Sequence, residues 1–332
     1  MKLSKEAYAR RVQASHDCGL PLVGPVNASL AVTQRCNSAC SYCPSARVDR
    51  RADCPSPLLV DALAQLREMG VKQVSLTGGE PLLRDDLEEL VGRAAKAGLV
   101  PLVLTNGVLL TEERARSLVS AGAAGFVVSL DALDPEVYQA LRGRPLDESW
   151  RGVEVLARLK RERPGLVASV TCVLTRHNVQ GLGELARVLC GLRLHLQVQP
   201  CAEAPNLEVP SDPNSIARAR AALAEVRAAY GRFLPPEDVS YLEHIPSYLV
   251  GRALPEGFRC LAAYAVVHLD AELDVFPCWL EPAIGNLREA SLAHIWAGEA
   301  MTRARARLAR GECARCWLLC DAGPSLRYRK TG

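Results

Sequence analysis

Between about residues 28 and 201 the chain alternates short apolar runs with longer stretches whose apolar residues return every third or fourth position. The short runs read as strands and the longer stretches as helices. Their alternation predicts parallel strands joined by crossover helices. Six such units follow one another, with strands near 29–35, 72–77, 99–105, 125–130, 166–174 and 193–199. In the helix before the second strand, Ser56 can act as cap, Pro57 suits the first position, Leu59, Leu63 and Leu66 share a face, and Gly70 ends it. Asp134-Pro135 opens another helix in the same way. Pro101 falls inside the third strand, where its missing N–H predicts a bulge or local irregularity. Beyond residue 201 the pattern turns helical, from Ser215 to about Tyr230 and, after Pro235-Pro236, over about 238–250.

Six β/α units without two more predict an α/β fold, a partial (β/α)6 TIM-like barrel. In such barrels the chemistry sits at the C-terminal ends of the strands. That rule selects the cysteine loop after the first strand, Gly78-Gly79-Glu80 after the second and Thr105-Asn106-Gly107 after the third. It also selects Ser129-Leu130-Asp131 after the fourth and Gln199-Pro200-Cys201 after the sixth. Turn and cap chemistry is an equally good account of Asn106, Ser129 and Asp131 taken singly.

At 332 residues and 49% hydrophobic content, the chain can bury one large α/β domain and a smaller one. No apolar run is long enough to span a bilayer and the N-terminus has no signal-peptide core, so the expected compartment is the cytoplasm. Thirteen cysteines in such a chain argue for metal binding over disulfides, and they fall largely at 36–43 and 260–320. A net charge of +3 is too small to imply a nucleic-acid partner. The run Arg303, Arg305, Arg307, Arg310 reads as a solvated helix face.

Cys36, Cys40 and Cys43 stand in a C-x3-C-x2-C spacing that fits a tight loop around one metal centre. Three thiolates on a four-iron cluster leave one iron open. Short cysteine groups also hold zinc, but the nearest fourth ligand, Cys54, lies beyond an Arg-rich stretch. Together with Tyr42 and the turn Thr77-Gly78-Gly79-Glu80-Pro81, this loop closely resembles the radical S-adenosylmethionine (SAM) superfamily. The resemblance implies a SAM-binding [4Fe-4S] cluster on the three cysteines and S-adenosylmethionine beside it. It places the Tyr42 ring near the adenine, and Gly78, Gly79 and Glu80 at the methionine end. Asn106, Ser129 and Asp131 become SAM or substrate contacts, and Arg142 a residue within reach of the SAM carboxylate. The implied chemistry is reductive SAM cleavage to a 5′-deoxyadenosyl radical that takes hydrogen from an unactivated C–H bond. A flavodoxin or ferredoxin would supply the electron.

The second cysteine group, Cys260, Cys278, Cys313, Cys316 and Cys320, follows the order of the SPASM extension in its shortened twitch form. Leu273 stands where that extension usually has glycine. The resemblance implies one auxiliary [4Fe-4S] cluster held by Cys260, Cys278 and two of the last three. Zinc on four thiolates fits the same ligand types. The expected organisation is an N-terminal extension (1–27), the barrel (28–201), a helical linker (202–257), a small α+β twitch/SPASM-like domain (258–322) and a tail (323–332). Oxidation or epimerisation is the expected outcome, the latter needing a thiol donor such as Cys201 or Cys172. With only about 28 residues before the first strand, a small sugar- or cyclitol-like intermediate is preferred as substrate, and a ribosomal peptide is the alternative. A tRNA-modifying enzyme and a non-catalytic metal protein are the further readings.

Overall fold

The structure, a computed structural model, describes residues 4–43, 53–202 and 204–328; the Arg-rich stretch after Cys43 and the end of the tail lie outside the described residues. Helix α1 (Lys5–Cys18) starts where Ser4 Oγ accepts from the Ala7 N–H, and it ends at Gly19 with φ +73°. The barrel then runs β1 (Asn27–Thr33), α2 (Ser56–Glu68), β2 (Gln73–Gly78), α3 (Leu87–Lys96), β3 (Val100–Thr105), α4 (Glu112–Ala121) and β4 (Gly125–Ser129). It continues with α5 (Pro135–Arg142), α6 (Leu146–Glu162), β5 (Val167–Leu174), α7 (Leu182–Gly191) and β6 (His195–Pro200). Two helices follow, α8 (Pro213–Tyr230) and α9 (Pro236–Tyr248). The chain then forms β7 (Val266–Leu269), β8 (Asp274–Phe276), β9 (Gly285–Asn286), α10 (Leu292–Ala297), α11 (Glu299–Ala309) and α12 (Leu319–Arg327).

The six predicted strands form one parallel sheet in sequence order, so the expected partial barrel is present. The sheet does not stop at β1. Its full order is β6-β5-β4-β3-β2-β1-β7-β8-β9, and β7 pairs parallel with β1, Ser29 opposite His268. The C-terminal segment is therefore a continuation of the barrel sheet, and one hydrophobic core reaches from Leu30 and Val74 to Val267, Trp296 and Trp317. The N-terminal residues are also tied down. Tyr8 and Val12 pack with Tyr264, Val266 and Tyr328, and Gln13 Nε2 donates to the Tyr328 carbonyl at 3.0 Å.

Three local expectations are corrected. Ser56 is the first residue of α2 and does not cap it; its hydroxyl bonds Asp86 instead. Pro101 sits in a regular β3, opposite Val74, with its carbonyl accepting from Ala124 at 2.8 Å. Its N–H is dispensable because the β3–β4 ladder opens only at Leu102–Gly125. The arginine run on α11 is not one solvated face. Arg303, Arg307 and Arg310 pair with Glu299, Glu281 and Glu312, whereas Arg305 is 0% exposed, between the Trp296 and Tyr264 rings. Burial pushes its guanidinium down to about 10. No described helix is long and apolar enough to cross a membrane.

Candidate active site and auxiliary metal centre

A cavity of about 250 Å³ opens at the C-terminal ends of the barrel strands. Cys36, Cys40 and Cys43 line it together with Gly78, Gly79, Asn106 and Ser129. Arg142, Thr171 and Gln199 complete the far wall. Three thiols from one eight-residue loop thus face a space bounded by five different strand ends. Cys54 takes no part: it belongs to the apolar core. Burial pushes the Cys40 thiol up, and the Arg142 guanidinium, 3.8 Å from its sulfur, works against that.

The Gly-Gly-Glu turn does something the sequence did not disclose. A Cβ on Gly78 would sit 2.2 Å from the Thr33 carbonyl, and one on Gly79 would sit 2.1 Å from that of Arg35. Gly78 also has φ +130°. The glycines therefore let the turn close on the start of the cysteine loop, where Gly79 N–H bonds Thr33 O at 2.9 Å and Glu80 N–H bonds Arg35 O at 2.8 Å. The Glu80 carboxylate is buried and does not line the cavity. It accepts from Leu82 N (3.0 Å), Thr105 Oγ1 (2.7 Å) and Asn106 N (2.7 Å), which staples the β2 end to the β3 end. Burial pushes this carboxyl up although the three hydrogen bonds favour its charged form. Asn106 continues the brace, its amide donating to Asn37 Oδ1 at 2.6 Å and Ser38 Oγ at 3.2 Å inside the cysteine loop.

Asp131 also differs from expectation. Its carboxylate is buried, off the cavity, and held by Arg142 (2.6 and 3.1 Å), the Tyr42 hydroxyl (2.6 Å) and Val173 N (2.8 Å). Arg142 spends Nε and one terminal nitrogen on this pair and keeps Nη1 for Cys40. Its guanidinium lies 5.5 Å from the Tyr42 ring centre. Coulombic attraction to Asp131 holds Arg142 well above its usual range despite burial, the largest opposing influence. Ser129, as expected, does line the cavity. Cys201 does not: it is buried among Ala204 and Leu207, its thiol 3.7 Å from the Ala204 carbonyl. Cys172 is 0% exposed and donates to the Asp131 carbonyl at 3.6 Å. Neither thiol faces the cavity, because β5 and β6 alternate and turn these side chains the other way. Thr105 and Gln199, picked out by the strand-end rule, do line the cavity, whereas Thr171 was passed over as an ordinary polar residue within a strand.

The second cysteine group converges from distant positions. Cys260, Cys278, Cys313 and Cys316 line one enclosed cavity, and Asp321 joins them. The Cys278 thiol bonds Cys316, which pushes Cys278 well up and Cys316 down. Cys320 is outside that lining; its sulfur is 3.3 Å from Asp321 Oδ2. Asp321 and its buried neighbour His268 were missed, although a carboxylate next to a cysteine group is itself a ligand type. Leu273 has φ +70°, so the turn keeps the left-handed geometry that glycine favours, with a buried leucine in it.

A sequence model of the "Radical SAM superfamily" matches residues 30–189, and an "Iron-sulfur cluster-binding domain" model, SPASM, matches residues 260–317. A PqqA peptide cyclase of Xanthomonas campestris is 31% identical over 297 residues, covering 85% of this chain and 76% of the relative. The chain belongs to the radical SAM superfamily. A PqqA peptide cyclase of Streptomyces rochei is 37% identical over 172 residues, a match spanning 50% of this chain and only 45% of that protein. Among solved structures, Streptococcus suis SuiB bound to S-adenosylmethionine aligns with TM-score 0.65 at 18% identity, over 89% of this chain and 71% of SuiB. At that identity the likeness concerns the fold.

This radical SAM enzyme accordingly uses a [4Fe-4S] cluster with S-adenosylmethionine and carries auxiliary iron–sulfur chemistry in its C-terminal segment. Both donor sets fit. One is three thiols on an open cavity that leaves room for a ligand; the other is four thiols and a carboxylate on an enclosed one.

Proposed function

We propose that this enzyme modifies a peptide, by hydrogen abstraction at an unactivated C–H position followed by oxidation. The observation that carries the reading is the 31% identity to PqqA peptide cyclase along 85% of the chain. It favours the peptide over the sugar-like small molecule, which had rested on the short segment before β1. In this reading Cys36, Cys40 and Cys43 hold the SAM-binding cluster, and Cys260, Cys278, Cys313 and Cys316 hold the auxiliary one. When bound and reduced, the first group with SAM supplies a primary carbon radical.

The chain's own residues orient and shield. The Gly78-Gly79 turn and Asn106 brace the cysteine loop, so its sulfurs keep one geometry. Arg142, anchored by Asp131, sets a positive charge beside Cys40 and thereby favours its thiolate. Apart from Arg142, whose guanidinium is committed to Asp131 and Cys40, the wall opposite the cysteines is formed by the uncharged Val127, Ser129, Thr171 and Gln199. It offers hydrogen bonds that can align neutral amides without supplying protons for side reactions. An external one-electron donor of the flavodoxin or ferredoxin class completes the reading.

The test is anaerobic reconstitution with iron and sulfide, then SAM, dithionite and a library of unmodified peptides read by mass spectrometry. Loss of two hydrogens from a peptide, with stoichiometric 5′-deoxyadenosine, is the expected result. Turnover of cyclitols or sugars with every peptide unchanged sinks the peptide reading.

A further inference from the structure

His268 is an unexpected residue for the middle of an apolar strand. It lies on β7 between Ser29 of β1 and Phe276 of β8, is 0% exposed, and packs beside Trp279 with ring centres 4.9 Å apart and ring planes tilted by 36°. Its Nε2 is 3.3 Å from Asp321 Oδ1, and its Nδ1 has no partner among the described residues. That asymmetry fixes the tautomer. A proton on Nε2 is used by the carboxylate, and the bare Nδ1 lone pair is cheaper to leave against a ring than an orphaned N–H.

Asp321 is the other half. Only 1% exposed, it receives Cys278 Sγ at 3.5 Å and Cys320 Sγ at 3.3 Å on Oδ2, and no Lys or Arg among the described residues pairs with it. Thiols that bind iron do so as thiolates and stop donating. A buried carboxylate beside anionic sulfur then needs a remaining donor, since an unsatisfied one is costly. Cys320, outside the proposed ligand set, still donates to Oδ2, and on Oδ1 His268 alone among the described side chains supplies a donor.

We propose that His268 is a positioning residue for the auxiliary iron–sulfur centre, holding Asp321 against the thiol cage through an Nε2–H hydrogen bond and so setting the reduction potential of that centre. The inference rests on the reading that the C-terminal cysteines carry a four-iron cluster. Hydrogen bonding and local charge are the protein's levers on such potentials. With the donor removed, negative charge is concentrated at the cage and the oxidised cluster is favoured.

The experiment is a potentiometric titration followed by electron paramagnetic resonance, on the full-length Cys36→Ala/Cys40→Ala/Cys43→Ala chain, so that only the C-terminal centre reports. His268→Leu is expected to retain its iron and to change the oxidised-to-reduced ratio about tenfold at fixed potential, a negative shift of ~59 mV for a one-electron couple. His268→Gln, whose amide N–H can reach the same oxygen, is expected to stay near the parent value. Should His268→Leu not load iron, His268→Asn, too short to reach Asp321, takes its place with the same expected shift. An unmoved potential in the donor-lacking variant, or iron loss in His268→Gln, overturns the inference. Absence of iron from the triple-cysteine parent overturns the cluster reading instead.

Discussion

The two cysteine sites solve opposite problems. At the barrel mouth, three thiols come from one short loop, and the rest of the structure serves to hold that loop still and leave space in front of it. In the C-terminal segment the thiols come from positions 260 to 316 along the chain and are packed around an enclosed space with a carboxylate. The first arrangement suits a centre that must accept a ligand. The second suits a centre that only exchanges electrons, for which burial and hydrogen bonding matter more than access. Openness here is a matter of backbone: Gly78 and Gly79 allow the turn to seat against Thr33 and Arg35, and the space in front of the thiols is what remains.

The sharpest way to break the comparison is to remove one site and read the other. Replacing Cys36, Cys40 and Cys43 by Ala is expected to abolish 5′-deoxyadenosine formation while roughly half of the reconstituted iron remains, if each site holds one four-iron cluster. Iron falling to zero would mean that the C-terminal cysteines hold no cluster of their own. Next in size is Arg142→Met. It leaves Asp131, whose side chain is 0% exposed, without its cation and is expected to cost about 3–5 kcal/mol in urea unfolding. Adding Asp131→Asn should recover part of that loss, and strict additivity would argue that the pair is not coupled. Glu80→Gln turns one acceptor into a donor facing the Asn106 N–H or the Thr105 hydroxyl. The expected cost is about 1–3 kcal/mol, with weaker SAM binding in equilibrium dialysis because the brace on the cysteine loop loosens. Unchanged stability with lost SAM binding would instead give Glu80 a direct contact. The smallest effect is Arg305→Lys, which keeps charge but loses the planar stack on Trp296. About 1 kcal/mol is expected by calorimetry, with SAM cleavage intact.

The same contrast explains what could be read from the chain. The barrel strands, the cysteine loop and the Asp134-Pro135 helix start are local signals, and each lies within a few residues of where the pattern puts it. Roles that depend on long-range packing were not legible. Glu80 and Asp131 sit at strand ends, where the barrel rule places chemistry, yet their carboxylates point into braces between neighbouring loops. Cys201 stands one residue past β6, and a single step along an extended chain reverses the facing of a side chain. The pairing of β7 with β1 joins residues more than two hundred positions apart, and the apolar run Val266-Val267-His268-Leu269 looks the same whether it forms an isolated hairpin or extends a barrel. His268 is a case in point: a histidine in such a run has no sequence mark that tells a structural ring from one facing a metal cage.

The pairing of the first barrel strand with one near the end of the chain also has a temporal side. During synthesis β1 emerges early and gains β2 soon afterwards, but its other edge stays bare until Val266–Leu269 leaves the ribosome. Late, distant strand pairing is slow and leaves an adhesive edge exposed in the meantime. The cysteine loop that follows β1 is thus made long before the sheet around β1 is complete. A nascent chain released before residue 266 would carry a finished cysteine motif on an unfinished sheet, with one edge of β1 still unpaired.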